Sequence, residues 1–228
     1  MTAMSSESET TVEAPALVDP AKLGTQPQTA RGQRTRAALI AAARTVFERD
    51  GYVDSRLVDI AAEAKCSIGS FYTWFDSKDE IFAAVLYEAQ SEMLHPGTSR
   101  IEATDDPVAI IAASNRSYFE AYRRNARLNQ LLLQVAAVDP RFREMRRARA
   151  NAFVTRNARA IAELQQRGVA DRGVDARMAS MALSGMVSRL AQDAYNSAVD
   201  VPVDDLVETA TRLWTNALGL TLPQLWAD

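Results

Sequence analysis

The chain has 228 residues, 47% hydrophobic and 24% charged, with a formal net charge of −3. That is ordinary globular composition, enough for one large domain or two small ones, and the mild acidity means that any contact with nucleic acid has to come from a local basic patch. One cysteine excludes an internal disulfide and fits a reducing cytoplasm. No apolar run approaches the roughly 20 residues that span a bilayer, and no secretion signal opens the chain, so a cytoplasmic location with no membrane partner is expected.

Residues 1–30 are rich in Ser, Thr, Glu, Pro and Ala. Such a segment buries too little apolar surface to offset its ordering entropy and is expected to be a disordered tail. The charge then turns basic at Arg31, Arg34 and Arg36, either a solvated face or an arm that reaches a polyanion. Leu39, Ile40, Ala43, Val46 and Phe47 share one face of a helix from Gln33 to Asp50 that Gly51 ends. A short helix from Arg56 to Ala64 follows, with Ser55 as its expected cap. Lys65-Cys66-Ser67 forms a tight connection to a second short helix, Ile68 to Trp74, and Lys78 to about Leu94 is a longer one. His95-Pro96-Gly97 punctuates the chain. Asp106-Pro107 and Asp139-Pro140 each combine a cap with proline at the first helical position. They open helices to about Arg124 and about Arg167, with another helix between them from about Leu128 to Val138. Two more run from about Val174 to Ala198 and from Pro202 to Leu220. No strand alternation and no repeat appears, so the fold class is all-α.

Two short helices joined by a three-to-four-residue turn fit the helix-turn-helix plan, in which the second helix enters the major groove. Ile60, Ala61, Phe71 and Phe75 form its core. Ile68, Gly69, Ser70, Tyr72, Thr73 and Trp74 are then left to face DNA. Lys78 opens the next helix, where backbone N–H groups and an ammonium could share one phosphate. The run Asp59-Ile60-Ala61 … Cys66-Ser67-Ile68-Gly69-Ser70-Phe71-Tyr72-Thr73-Trp74-Phe75-Asp76-Ser77-Lys78-Asp79 resembles the signature of the tetracycline-repressor (TetR) family, and Phe47, Gly51 and Tyr52 fit the preceding helix of that family. The resemblance is strong over residues 33–85 and beyond them rests on helix order and length. It implies groove contacts at Ile68, Gly69, Ser70, Tyr72, Thr73 and Trp74, and phosphate contacts at Ser55, Tyr72 and Lys78. Arg34, Arg56 and Ser67 complete the candidate DNA-binding set. Arg56 stands where the family often has a second hydroxyl. Lys65-Cys66 stands where it often has Gly-Val, which predicts either a strained or adjusted backbone at Lys65 or a slight shift of the turn. Cys66 is expected to be a packed thiol.

The same resemblance implies a three-helix DNA-binding domain over 31–78 and a helical ligand-binding and dimerisation domain over 79–228. It also implies a ligand pocket in the second domain and release of DNA when the ligand binds. Tyr118, Phe119, Tyr122, Phe142, Met145, Phe153, Met178 and Met181 are the candidate pocket residues, with Asn115, Asn129, Gln134 and Asn151 as candidates to orient a polar end. Aromatic and methionine side chains outweigh polar ones there, so a hydrophobic effector is expected, with no cofactor and no metal. Small residues (Ala179, Ala182, Gly185, Ala191, Ala210, Ala217) beside Leu183, Met186, Val187, Leu190, Leu206, Leu213 and Leu218 suit packing of the last two helices across a two-fold axis into a homodimer. The arginines between Arg141 and Arg159 are either a solvated face or an electropositive lining for an anionic ligand such as an acyl-coenzyme A.

The expected function is that of a repressor held on a palindromic double-stranded operator and released by a small apolar effector. One alternative is a helical enzyme or carrier for hydrophobic molecules, but no catalytic constellation is visible: one His, no paired-His metal motif and no Gly-rich phosphate loop. Another alternative is a constitutive DNA-binding protein without a ligand.

Overall fold

The computed structural model describes residues 24–94, 106–196 and 201–220. Every regular element among them is helical, in the order α1 (Ala30–Asp54), α2 (Leu57–Glu63), α3 (Ile68–Tyr72), α4 (Lys78–Leu94), α5 (Pro107–Arg124), α6 (Ala126–Val138), α7 (Pro140–Gln166), α8 (Ala176–Asn196) and α9 (Val203–Ala217). The all-α expectation therefore holds. No described helix is long and apolar enough to cross a membrane. The His95-Pro96-Gly97 punctuation and residues 1–23 of the expected tail lie outside the described residues.

Local chemistry sets the boundaries. Asp106 and Asp139 accept from the backbone N–H groups of Val108 and Arg141, at 2.9 and 2.8 Å, and proline follows each of them. Those groups would otherwise be orphan donors of a helix start. Gly51 sits at φ +81°, and this left-handed residue breaks α1 where the sequence placed its end. The tail expected to reach residue 30 is docked from Gly24 onward: Thr25 N donates to the Trp74 carbonyl at 2.9 Å. A Cβ at Gly24 would lie 2.4 Å from that same carbonyl oxygen, so the close approach requires glycine. A polar composition did not reveal this contact because its partner lies fifty residues away.

Two hydrophobic cores carry the molecule. The first joins α1 to α4 with α6 and the start of α7. Phe47, Phe71, Phe75, Phe82, Leu128 and Leu131 are almost fully enclosed in it, each contributing about 1.5–3 kcal/mol by burial. The second joins α5, the later part of α7, α8 and α9 around Phe119, Ile161, Ala191, Ala210 and Leu218. α7 is thus the one long helix that takes part in both, through Phe142 at its start and Ile161 near its end.

Candidate DNA interface and internal cavity

The recognition unit is built from α2 and α3. Ile60, Ala61, Phe71 and Phe75 are buried as expected. The turn between the helices closes with Cys66 N donating to the Ala61 carbonyl at 3.0 Å. Lys65 has φ +54°, the only left-handed non-glycine among the described residues, so the adjusted backbone expected there is present. Burial pushes the Cys66 thiol up from its ordinary pKa, as a packed thiol requires. Ser67 caps α3, its Oγ accepting from Ser70 N at 3.1 Å. Ser77 and Glu80 cap α4 from both sides, Ser77 Oγ accepting from Glu80 N and Glu80 Oε2 from Asp76 N.

Ser67, Ile68, Gly69, Tyr72 and Thr73 lie on the exposed side of α3, and Ser70 is half-buried between them. Tyr72 is 54% exposed although its ring packs edge-on against Phe71. Thr73 Oγ1 donates to the Gly69 carbonyl at 3.2 Å, leaving its oxygen lone pairs outward. Arg34 is exposed near the start of α1. Arg56 is exposed and forms a two-pronged bond with Asp59 at 2.7 and 2.9 Å, so a phosphate there has to compete with a carboxylate.

Three expected contacts are placed differently. Trp74 is half-buried and its ring lies over α1: a Cβ at Gly32 would come within 2.7 Å of it. Packing area outweighs the small gain of an exposed indole. Ser55 is 3% exposed, neither caps α2 nor faces outward, and donates to the Tyr52 carbonyl at 2.8 Å. The capping position of α2 belongs to Arg56, which makes no side-chain cap bond. Lys78 Nζ donates to the carbonyls of Tyr52, Val53 and Ser55 at 2.7, 3.0 and 3.1 Å and lies 4.8 Å from the Tyr52 ring centre. An ammonium has three donors, and here all three tie down the end of α1 instead of waiting for a phosphate. This tertiary capture crosses more than twenty residues and left no local sequence signal.

Where α1, α4 and α7 meet, Arg141 at the start of α7 bonds the Asp79 carboxylate in the first turn of α4, which also accepts from the Tyr52 hydroxyl. Burial and then Asp79 raise the Tyr52 pKa, keeping that hydroxyl a donor. Arg44 of α1 donates to the Arg124 carbonyl at the end of α5 at 3.1 Å, and Arg127 donates to the Glu48 carbonyl at 3.3 Å.

The second core encloses a cavity of about 610 Å³, within the range of small-molecule sites. Tyr118, Tyr122, Phe153 and Met181 line it, as expected, together with Asn115 and Asn129. Four other candidates do not. Phe119 is fully enclosed in the core, Phe142 and Met145 pack on the first core beside Phe82, and Met178 is 59% exposed. Gln134 and Asn151 are exposed away from the cavity. The sequence analysis missed the apolar wall of Ile110, Ile111, Trp214 and Leu218, whereas Arg146, Arg149 and Arg156 line the cavity, in line with the second of the two alternatives for the arginines of this helix. Those arginines, with Phe153, Asn157, Ile161 and Leu164, fall at helical spacing on one face of α7, a signal that was present in the sequence.

On α8 and α9 the small residues divide between two faces. Ala179, Ala191 and Ala210 are buried within the protomer, whereas Ala182, Gly185 and Ala217 are exposed, as are Met178, Met181 and Leu213.

With this geometry in hand, the chain matches the model of bacterial regulatory proteins of the tetR family over residues 39–85. It also matches the model of the C-terminal domain of the transcriptional regulator EthR over residues 111–218. The HTH-type transcriptional regulator EthR of Mycolicibacterium smegmatis is 22% identical over 208 residues, covering 87% of this chain and 96% of that protein. Among solved structures, a TetR-family regulator from Mesorhizobium loti superposes with TM-score 0.70 at 18% identity, covering 83% of this chain and 98% of that one. The fatty acid degradation regulator FadR from Bacillus halodurans does so with TM-score 0.68 at 16% identity, covering 80% and 98%. The chain belongs to the TetR family of transcriptional regulators, DNA-binding proteins that are not enzymes.

Proposed function

We propose that this regulator is a repressor that leaves a palindromic operator when a small, largely apolar effector enters the cavity of the second core. Residues 31–78 form the DNA-reading unit and residues 79–228 the effector and dimerisation unit. The observation that carries the reading is the cavity together with α7. The helix that forms a wall of the cavity also sends Phe142 into the DNA-binding core and Arg141 to Asp79 on α4. An occupant that shifts α7 therefore shifts the reading head. It does so only to the extent that it binds one arrangement better than the other. The apolar wall supports an apolar effector, and the name of the Bacillus halodurans neighbour, a fatty acid degradation regulator, agrees with that chemistry.

The partner is a second copy of the chain, joined through the exposed faces of α8 and α9. Such a dimer holds two α3 helices about 34 Å apart in successive major grooves. The test selects the operator from random duplexes, then measures DNA affinity against a panel of apolar compounds that raise the melting temperature. At least one stabilising compound is expected to release DNA. The reading fails if stabilisation comes only from small polar metabolites or metal ions, or if no stabilising compound changes DNA affinity.

A further inference from the structure

We infer that the effector carries a carboxylate, and that the cavity holds a built subsite for it where α6 meets α7; the inference rests on the ligand-responsive reading above. Its starting point is an orphaned donor. Asn129 is 8% exposed and lines the cavity. Its Oδ1 accepts from Arg149 Nη1 at 2.8 Å, which fixes the orientation of the amide. The Nδ2 group on the other side has no hydrogen-bond partner among the described residues. A buried N–H group that lacks an acceptor is costly, and such groups are rare unless a ligand or ion completes them. Trp214 Nε1, on another wall of the cavity, is a second orphan, and it too is a donor. The unmet demand of this cavity is therefore for acceptors.

The surroundings of Asn129 define the charge. Arg146 and Arg149 share its part of the wall, three residues apart on the inner face of α7. Both guanidinium groups act on the Tyr122 hydroxyl, which places that phenol in the same neighbourhood. Burial, followed by Tyr118, pushes the Tyr122 pKa up to about 12, so the hydroxyl is present as a donor at neutral pH. Among the described residues the lining contains no aspartate or glutamate. Two cations, an amide N–H and a phenol O–H match an acceptor-only group of single negative charge, and a carboxylate is such a group. A neutral amphiphile would satisfy Asn129 and leave the guanidinium groups without a counter-charge from the ligand.

The body of the effector follows from the rest of the wall. Beyond Arg149 the inner face of α7 continues through Phe153 and Ile161 to Leu164, and meets Ile110 and Leu218. Arg149 to Leu164 spans about 22 Å of helix, the length scale of a long alkyl chain. A coenzyme A thioester brings several phosphates and a nucleotide besides its acyl chain, for which about 610 Å³ is a poor match. The assigned class is a long-chain or arylalkyl carboxylic acid.

The experiment titrates the full-length protein with saturated carboxylic acids of eight to eighteen carbons. The alcohols, methyl esters and coenzyme A thioesters of the same lengths serve as comparison arms. The wild type should bind its best acid at least about tenfold more tightly than the alcohol of equal length. Arg149→Gln, Arg146→Gln and Asn129→Leu should each bring that ratio close to one while leaving alcohol affinity within about twofold. Asn129→Leu should also raise the melting temperature of the unliganded protein, because the orphan is gone. Should Arg149→Gln fail to fold, the exposed Arg146→Gln variant carries the same test. Equal binding of acid and alcohol by the wild type overturns the carboxylate subsite and leaves the apolar-cavity reading standing. Binding by thioesters alone also overturns it, since the head group is then a phosphate. If no alkyl compound of any head group binds, the apolar-effector reading falls and this inference with it.

Discussion

Gly69 is the residue of α3 whose identity is least explained by the protein itself. A Cβ there would meet nothing closer than Ser67 Oγ at 3.7 Å, and its backbone is helical. Internal packing therefore tolerates alanine, which is the better helix former by roughly 0.5–1 kcal/mol. Gly69→Ala should keep or raise the melting temperature while weakening operator binding, since a groove-facing glycine lets backbone approach DNA. Unchanged DNA affinity in a well-folded Gly69→Ala protein would move the interface off this part of α3. Lys78 behaves in the opposite way. Its ammonium closes the end of α1, so Lys78→Met should lower the urea-unfolding stability by about 1–3 kcal/mol. The slope of log affinity against log salt should not change in that variant, whereas Arg56→Gln should reduce it by about one phosphate contact. A shallower slope for Lys78→Met would put the ammonium back on DNA.

At the scale of elements, α7 is the natural coupling bar. Its first turn holds Asp79 through Arg141, its next residue Phe142 stacks at an angle on Phe82, 5.3 Å between ring centres, and its inner face lines the cavity. Arg141 is largely exposed, so its ion pair adds little to stability. Under the proposed function its role is to tie the motion of α7 to α4. Arg141→Gln should leave effector affinity and melting temperature nearly unchanged. It should shrink, several-fold, the factor by which a saturating effector lowers DNA affinity. Parallel titrations of effector and of DNA with each other present measure that factor from both sides, and reciprocity requires the two to agree. An undiminished factor would assign the coupling to the Arg44 and Arg127 ties between α1 and the α5–α6 junction.

At the scale of the whole molecule, the proposed dimer rests on the exposed stripe on α8 and α9. Leu213 is 44% exposed in the protomer, while Leu190 is packed against the second core. Leu213→Arg should give a folded monomer by sedimentation, with helical circular dichroism intact and operator binding lost. Leu190→Arg instead buries an unpaired charge and should unfold the domain. A dimeric Leu213→Arg protein would place the two-fold axis elsewhere.

What was legible in the sequence was everything that depends on neighbours along the chain. Proline after an aspartate cap marked the starts of α5 and α7, Gly51 marked the break in α1, and Lys65 in the turn pointed to an adjustment there, which the structure shows as a left-handed backbone. The spacing of Ile60, Ala61, Phe71 and Phe75 defined the helix-turn-helix core. Periodicity alone did not separate a wall from a core. Phe119 and Tyr118 are adjacent and equally aromatic, yet one is enclosed and the other faces the cavity. Which side of a helix meets a gap depends on how five helices cross. The fates of Trp74 and Lys78 were settled in the same way, by partners more than twenty residues distant. Caps, breaks and helical faces are local free-energy choices that the sequence determined by itself. The committed ammonium, the docked segment after Gly24 and the donor-rich end of the cavity exist only because tertiary packing brings distant groups within hydrogen-bond range.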